Sequence, residues 1–133
     1  MPSNAAEYAD SLIEQINRRT NPGAPFGLIH RDTEEWTDDT EAWEDWQNNP
    51  DTEYTEASAF DYLEGALDIH YVVGSDKQYK AGRVCIAFGG PTAWLNTYTG
   101  NLEVSWWSAP ETRELPREFI NQLDDALEEL FNC

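Results

Sequence analysis

Apolar positions along this chain change period twice. Tyr8, Leu12, Ile13 and Ile16 recur at intervals that place them on one face of a helix. Asn4, with Glu7 three residues later, fits a capping box at its start. Thr20-Asn21-Pro22-Gly23 stops it, and Phe26 to His30 reads as an extended or irregular piece. From Leu67 the period becomes two. Leu67, Ile69, Tyr71 and Val73 alternate with Asp68, His70 and Val72, as in a half-buried strand. Gly74-Ser75-Asp76-Lys77 turns the chain, and further strands are predicted over Ala81 to Phe88, Thr92 to Tyr98 and Leu102 to Trp107. Gly89-Gly90-Pro91 makes a tight connection that uses glycine's access to positive φ. Thr99-Gly100-Asn101 makes a short hairpin turn. Connections this short make the four strands an antiparallel meander. Ser108 to Glu114 reads as loop.

Helical spacing returns after Pro116, a residue tolerated in a first turn. Phe119, Ile120, Leu123, Ala126, Leu127, Leu130 and Phe131 form its apolar stripe; Glu118, Asp124, Asp125, Glu128 and Glu129 form the other face. This helix and the first are expected to cover one side of the sheet.

The stretch DTEEWTDDTEAWEDW, from Asp32 to Trp46, holds eight carboxylates and three tryptophans with no Lys or Arg. Trp36, Trp43 and Trp46 share a face if the stretch is helical throughout. Thr37-Asp38-Asp39-Thr40, however, looks like a cap that starts a shorter helix at about residue 40. Asn48-Asn49-Pro50-Asp51 ends that helix, and the segment to Glu56 reads as loop. Thr55 or Ser58 caps another helix, with Ala59, Phe60, Leu63 and Ala66 inward and Gly65 as terminator. The predicted fold class is α+β: a four-stranded antiparallel meander sheet flanked by N-terminal helices and one C-terminal helix. A length of 133 residues suits one domain. Its acidic helical part spans about 1–66, its sheet about 67–107 and its last helix about 116–132.

Composition then changes the picture. The chain is 40% hydrophobic, with six Trp, six Tyr and five Phe, which is enough for a core. Its formal charge of −18 lies far outside the usual range for a small domain. From Asp32 to Asp76 there are fifteen acidic residues and no Lys or Arg; the eight basic residues all lie outside that span. Such a surface repels nucleic acid and anionic membrane and attracts basic protein surfaces. Two distant cysteines, Cys85 and Cys133, make no disulfide framework, so a reducing, cytoplasmic compartment is expected. The N-terminus lacks signal-peptide character, and no apolar window is long enough to span a membrane.

No catalytic pattern emerges. Asp68 and His70 share a strand face and could pair, but read more simply as an edge-facing polar strip. His30 has no visible partner, and Cys85 reads as a small core residue. Gly89-Gly90-Pro91 lacks the helix and Lys of a phosphate loop. Asp38-Asp39 and Asp124-Asp125 do not match a calcium loop. No catalytic residue, metal site or cofactor is expected.

Two partner-binding surfaces remain. The first is acidic: Glu34, Glu35, Asp38, Asp39, Glu41, Glu44, Asp45, Asp51, Glu53 and Glu56, held in place by the tryptophans. DNA carries one charge about every 1.7 Å of its axis, and a rigid carboxylate face can occupy the same basic groove. The second is the sheet: if Leu95 points inward, Trp94 and Asn96 point outward, and Trp106 and Trp107 face opposite sides. Trp94, Asn96 and Trp107 are then an alternative aromatic patch, through which the chain would bind a partner as an interaction module such as an immunity or adaptor protein. The simpler expectation is that the acidic helices cover that side with Trp36, Trp43 and Trp46 as a second aromatic layer.

Gly89, Gly90, Pro91, Trp94, Thr97, Gly100, Trp106 and Trp107 carry a resemblance, over about residues 60 to 110, to an uncharacterised family of small bacterial and mobile-element proteins. The resemblance implies a fold boundary and no activity. In size and charge alone the chain is similar to phage-encoded inhibitors of host defence, of the anti-CRISPR and anti-restriction type. That similarity implies a non-enzymatic inhibitor acting in a host cytoplasm. Its partner would be a basic nucleic-acid-binding complex, a CRISPR effector or restriction enzyme, with no nucleic acid or membrane bound directly.

Overall fold

A computed structural model describes residues 4–21, 23–37, 39–49, 52–107 and 110–133. Along the chain run α1 (Asn4–Arg19), β1 (Leu28–His30), β2 (Trp36–Thr37), α2 (Thr40–Asn48), β3 (Tyr54–Glu56), α3 (Ala59–Leu63), β4 (Asp68–Val73), β5 (Tyr79–Ala87), β6 (Thr92–Asn96), β7 (Asn101–Ser105), β8 (Glu111–Glu114) and α4 (Arg117–Phe131). The class is α+β, with antiparallel strands as expected. The strands form two sheets, however: one of five in the order β4-β5-β6-β7-β8, and one of three in the order β2-β1-β3.

The single four-stranded sheet is therefore corrected. Its meander order stands, but β8 adds a fifth strand where a loop was expected. The reason lies in the residue that β8 turns inward. Arg113 stands opposite Leu102, on the helix-covered side, so β8 shows no apolar alternation. Instead of burying a hydrocarbon side chain, Arg113 reaches α1. Its Nε donates to the Asp10 carboxylate at 2.7 Å, and Glu111 accepts from its Nη1 at 3.2 Å.

The inner face of the large sheet buries Val84, Ala93, Leu95, Leu102 and Val104. Above it α1 crosses β7 and β8, and α4 crosses β5. The two predicted helices thus cover one side together. Small residues, Ala5 and Ala9, lie buried on α1; α4 contributes Phe119, Ile120, Leu123, Ala126 and Leu127. Phe119 joins a ring cluster with Phe26 and Tyr62, centroids 4.7 and 5.4 Å away.

Asp124 departs from the solvated face expected of α4. Its carboxylate accepts from Tyr79 Oη at 2.5 Å and from Thr97 Oγ1 at 2.9 Å. Thr97 Oγ1 in turn accepts from the Gly82 N–H at 2.9 Å. One carboxylate thereby ties α4 to β5 and to the β6–β7 turn. Burial, and then the bond to Asp124, push the Tyr79 phenol well above its ordinary pKa.

β5 and α4 meet most closely at Gly82. A Cβ there would lie 2.7 Å from Leu127 Cδ1, inside van der Waals contact. Leu127 is fully buried and has little room to move. Gly82→Ala is therefore expected to destabilise the protein by about 1–3 kcal/mol through overpacking. The denaturant midpoint measures it; an unchanged midpoint would show that α4 does not seat on β5 at this position.

Candidate acidic surface and aromatic sheet face

The acidic block does not form one helix. Trp36 lies in β2, paired with Ile29 of β1, and its Nε1 donates to the Phe26 carbonyl at 2.7 Å. A large indole with one polar atom is satisfied where an apolar cluster and a main-chain acceptor coincide. The Phe26 segment supplies both, and that outweighs the helical spacing of the three tryptophans. β1 is the central strand of the small sheet, so β2 and β3 both hang on it. β3 forms where loop was expected, pairing Tyr54 with His30 and Glu56 with Leu28. Its short, polar sequence gives no signal apart from a neighbour that needs a partner.

The expected cap at residue 40 is present. Asp39 is the N-cap of the nine-residue α2, and its Oδ1 accepts from the Glu41 N–H at 2.9 Å. Ser58 and Asp61 form a capping box on α3, which is only five residues long. Phe60, expected inward there, is exposed. α2 packs against β3 and, among the described residues, has no comparable packing on the large sheet, in place of the expected aromatic cover.

Glu34, Glu35, Asp39, Glu41, Glu44, Asp45, Glu53 and Glu56 are all exposed. Asp38 and Asp51 lie outside the described residues. Asp39, Glu41, Asp45 and Glu53 come together along an open cleft of about 350 Å³ between α2 and β3. Glu53 lies 3.3 Å from His30 Nε2, the partner that sequence did not reveal. None of the other seven forms an ion pair with Lys or Arg among the described residues. Glu56 stands apart, in a groove of about 410 Å³ that also includes Phe60, Asp125 and Glu129. Loss of water, and then the negative Glu118, raise its carboxyl above the ordinary value of 4.5.

On the outer face of the large sheet the structure assembles a different group. Trp94 stacks with His70, centroids 4.7 Å apart, and Arg83 Cζ sits 4.5 Å from the Trp94 ring centroid. Asp68 and His70, as their spacing allowed, approach to 2.9 Å. Arg83 pairs with Glu103 at 3.2 Å, and Asn96 both donates to Glu103 and accepts from the Tyr98 N–H. Trp94 and Asn96 are thus engaged within the face. Cys85, opposite Trp94 in register, is fully buried, and its thiol donates to the Ala87 carbonyl. Sequence reading missed Arg83 and Glu103; the signal was the shared face of Arg83, Cys85 and Trp94, visible only once register is known.

Trp107 is separate from that group. β7 ends at Ser105, before both tryptophans, so the strand predicted to Trp107 is shorter. Trp106 turns in against Tyr8 of α1, centroids 6.1 Å apart. Trp107 has φ +56 and is 92% exposed.

Among the described residues there is no cluster of three or more His, Cys, Asp or Glu that could hold a metal ion, and no helix is long and apolar enough to cross a membrane. No protein-family model, curated protein or solved structure matches the chain.

The raised Glu56 pKa has a defined sign. The folded protein holds that proton to higher pH than the unfolded chain, so ionised Glu56 opposes folding at neutral pH. Glu56→Gln should raise the unfolding free energy at pH 7, read by denaturant titration, by up to about 0.5 kcal/mol, a surface-sized effect. The gain should vanish as pH falls through the raised pKa towards 4.5. A gain that persisted below pH 4 would rule out charge as its cause.

Proposed function

We propose that the chain is a non-enzymatic inhibitor. Its acidic surface occupies the nucleic-acid-binding site of a bacterial defence complex, in the manner of anti-CRISPR and DNA-mimic proteins. The observation that carries this reading is the row of exposed carboxylates just before β2, on α2 and around β3, without Lys or Arg partners among the described residues, on a scaffold moored by Trp36. A basic groove gains by exchanging phosphates for such carboxylates, and holding them in place beforehand lowers the cost of ordering on binding. The acidic outer face of α4, with Asp125 and Glu129, continues the surface past Glu56.

The test is capture of a partner by the tagged chain from bacteria that carry CRISPR and restriction systems, eluted along a salt gradient. A basic nucleic-acid-handling complex should be retained, lose its nucleic acid while the chain is bound, and leave at moderate salt. Changing Glu34, Glu41, Glu44 and Asp45 together to Lys should weaken capture at least about 100-fold while the variant stays folded. Undiminished capture by that variant would sink the proposal.

The exposure of Trp107 favours a second reading, an interaction module that binds through an aromatic anchor. It predicts binding that survives high salt and is lost in Trp107→Ala; Trp94→Ala would act indirectly, by dismantling the stack with His70 and Arg83.

A further inference from the structure

The open edge of the large sheet is used by neither surface. β4 pairs with β5 on one side only. Leu67, Tyr71, Val72 and Val73, at this edge, are 61%, 37%, 40% and 45% exposed. Natural edge strands are commonly kept from pairing by Lys, Pro or short length. β4 contains neither Lys nor Pro and runs for six residues, with its bulge only at the Val72–Val73 end. The opposite edge, β8, is guarded: four residues, three of them charged.

We propose that β4 joins two copies of this chain edge to edge, giving one continuous antiparallel sheet with a two-fold axis at Ile69. Gly82 of β5 turns its carbonyl away from β4, to the Thr97 N–H at 3.0 Å, so its β4 partner Tyr71 sits in a non-hydrogen-bonded pair, and the main-chain groups of Ile69 and Tyr71 point to the open edge. Antiparallel pairing about Ile69 sets Asp68 against the partner's His70, and Leu67 against the partner's Tyr71. Carboxylate meets imidazole on the outer face, and apolar meets aromatic on the helix face. A two-fold axis at His70 would instead oppose two imidazoles and leave Asp68 against the partner's Val72. An axis at Tyr71 would run the pairing into the bulge.

The distribution of charge also favours a second copy at this edge. From Gly65 to Gly90 the chain has two carboxylates, Asp68 and Asp76, against Lys77, Lys80 and Arg83. The repulsion expected of two chains at −18 is thus weakest along this hairpin. What remains from the acidic surface is screened by salt, so the dimer tightens as salt rises. That is opposite to the salt response of the acidic surface, and the two proposals fail separately.

Sedimentation of the full chain carrying Cys133→Ser, over a wide concentration range at low and high salt, tests the pairing. The expected result is a monomer–dimer equilibrium that tightens with salt and weakens at least about tenfold in Leu67→Lys, an exposed and structurally mild change. Ile69→Cys should form an intermolecular disulfide on mild oxidation, because the two Ile69 positions face each other as a hydrogen-bonded pair, about 5.5 Å apart between Cα atoms and within disulfide reach. Leu67→Cys should not, because the two Leu67 positions lie about 13 Å apart along the strands. A chain that stays monomeric throughout overturns the proposal and leaves the edge to an extended segment of another protein. A dimer indifferent to Leu67→Lys also overturns it, as does linkage through Leu67→Cys in place of Ile69→Cys.

Discussion

Val84, Ala93, Leu95, Leu102 and Val104 leave water on one face of the five-stranded sheet because α1 and α4 cross it, and the rest of the molecule depends on that burial. A formal charge of −18 opposes any compact state through self-repulsion. The apolar layer must offset it, and charge reaches that layer only where it is matched. Arg113, turned to the helix side, is held between Asp10 and Glu111. Asp124 accepts hydrogen bonds from Tyr79 and Thr97. Most of the other described carboxylates are exposed to water.

The small sheet and α2 are an annex to this core. Their mooring runs through Trp36, whose indole packs against the core and donates to the Phe26 carbonyl, and through Leu28, buried in β1. A disordered acidic tail would present similar charge with no such mooring, but would lose more freedom on binding. Here a pleated strand pair and a capped helix set the spacing of the carboxylates. The cleft lined by Asp39, Glu41, Asp45 and Glu53 follows from that spacing. Its chemistry suits a cationic side chain, and the proposed target surface is built of such side chains.

The large sheet has helices on one side only, and its other side and one edge are left to polar chemistry. On that outer face Trp94, His70, Arg83, Asp68, Glu103 and Asn96 satisfy one another. The aromatic surface is therefore less available than Trp94 alone would imply. Beside exposed Phe60, Phe88 and Tyr98, Trp107 and the β4 edge also face water. They differ in kind: Trp107 is a single anchor, whereas β4 offers main-chain groups in a row.

The sequence by itself determined the elements whose stabilising contacts repeat at a fixed local period or depend on near neighbours. These include α1, α4, the meander from β4 to β7, the Asp39 and Ser58 caps, and the exposed carboxylates around them. Side-chain period and capping chemistry are local, so they can be read within a few residues. Tertiary structure decided what depended on a distant partner. β8 became a strand because β7 offered it an edge and Asp10 a counter-charge; β2 and β3 formed because β1 lay between them. Trp36 left its helical companions for an acceptor ten residues earlier in the chain. Asp124, identical in sequence terms to the solvated acids beside it, became a half-buried acceptor because α4 rotated it towards Tyr79 and Thr97. In each case the deciding energy is a contact between segments whose meeting no local pattern encodes.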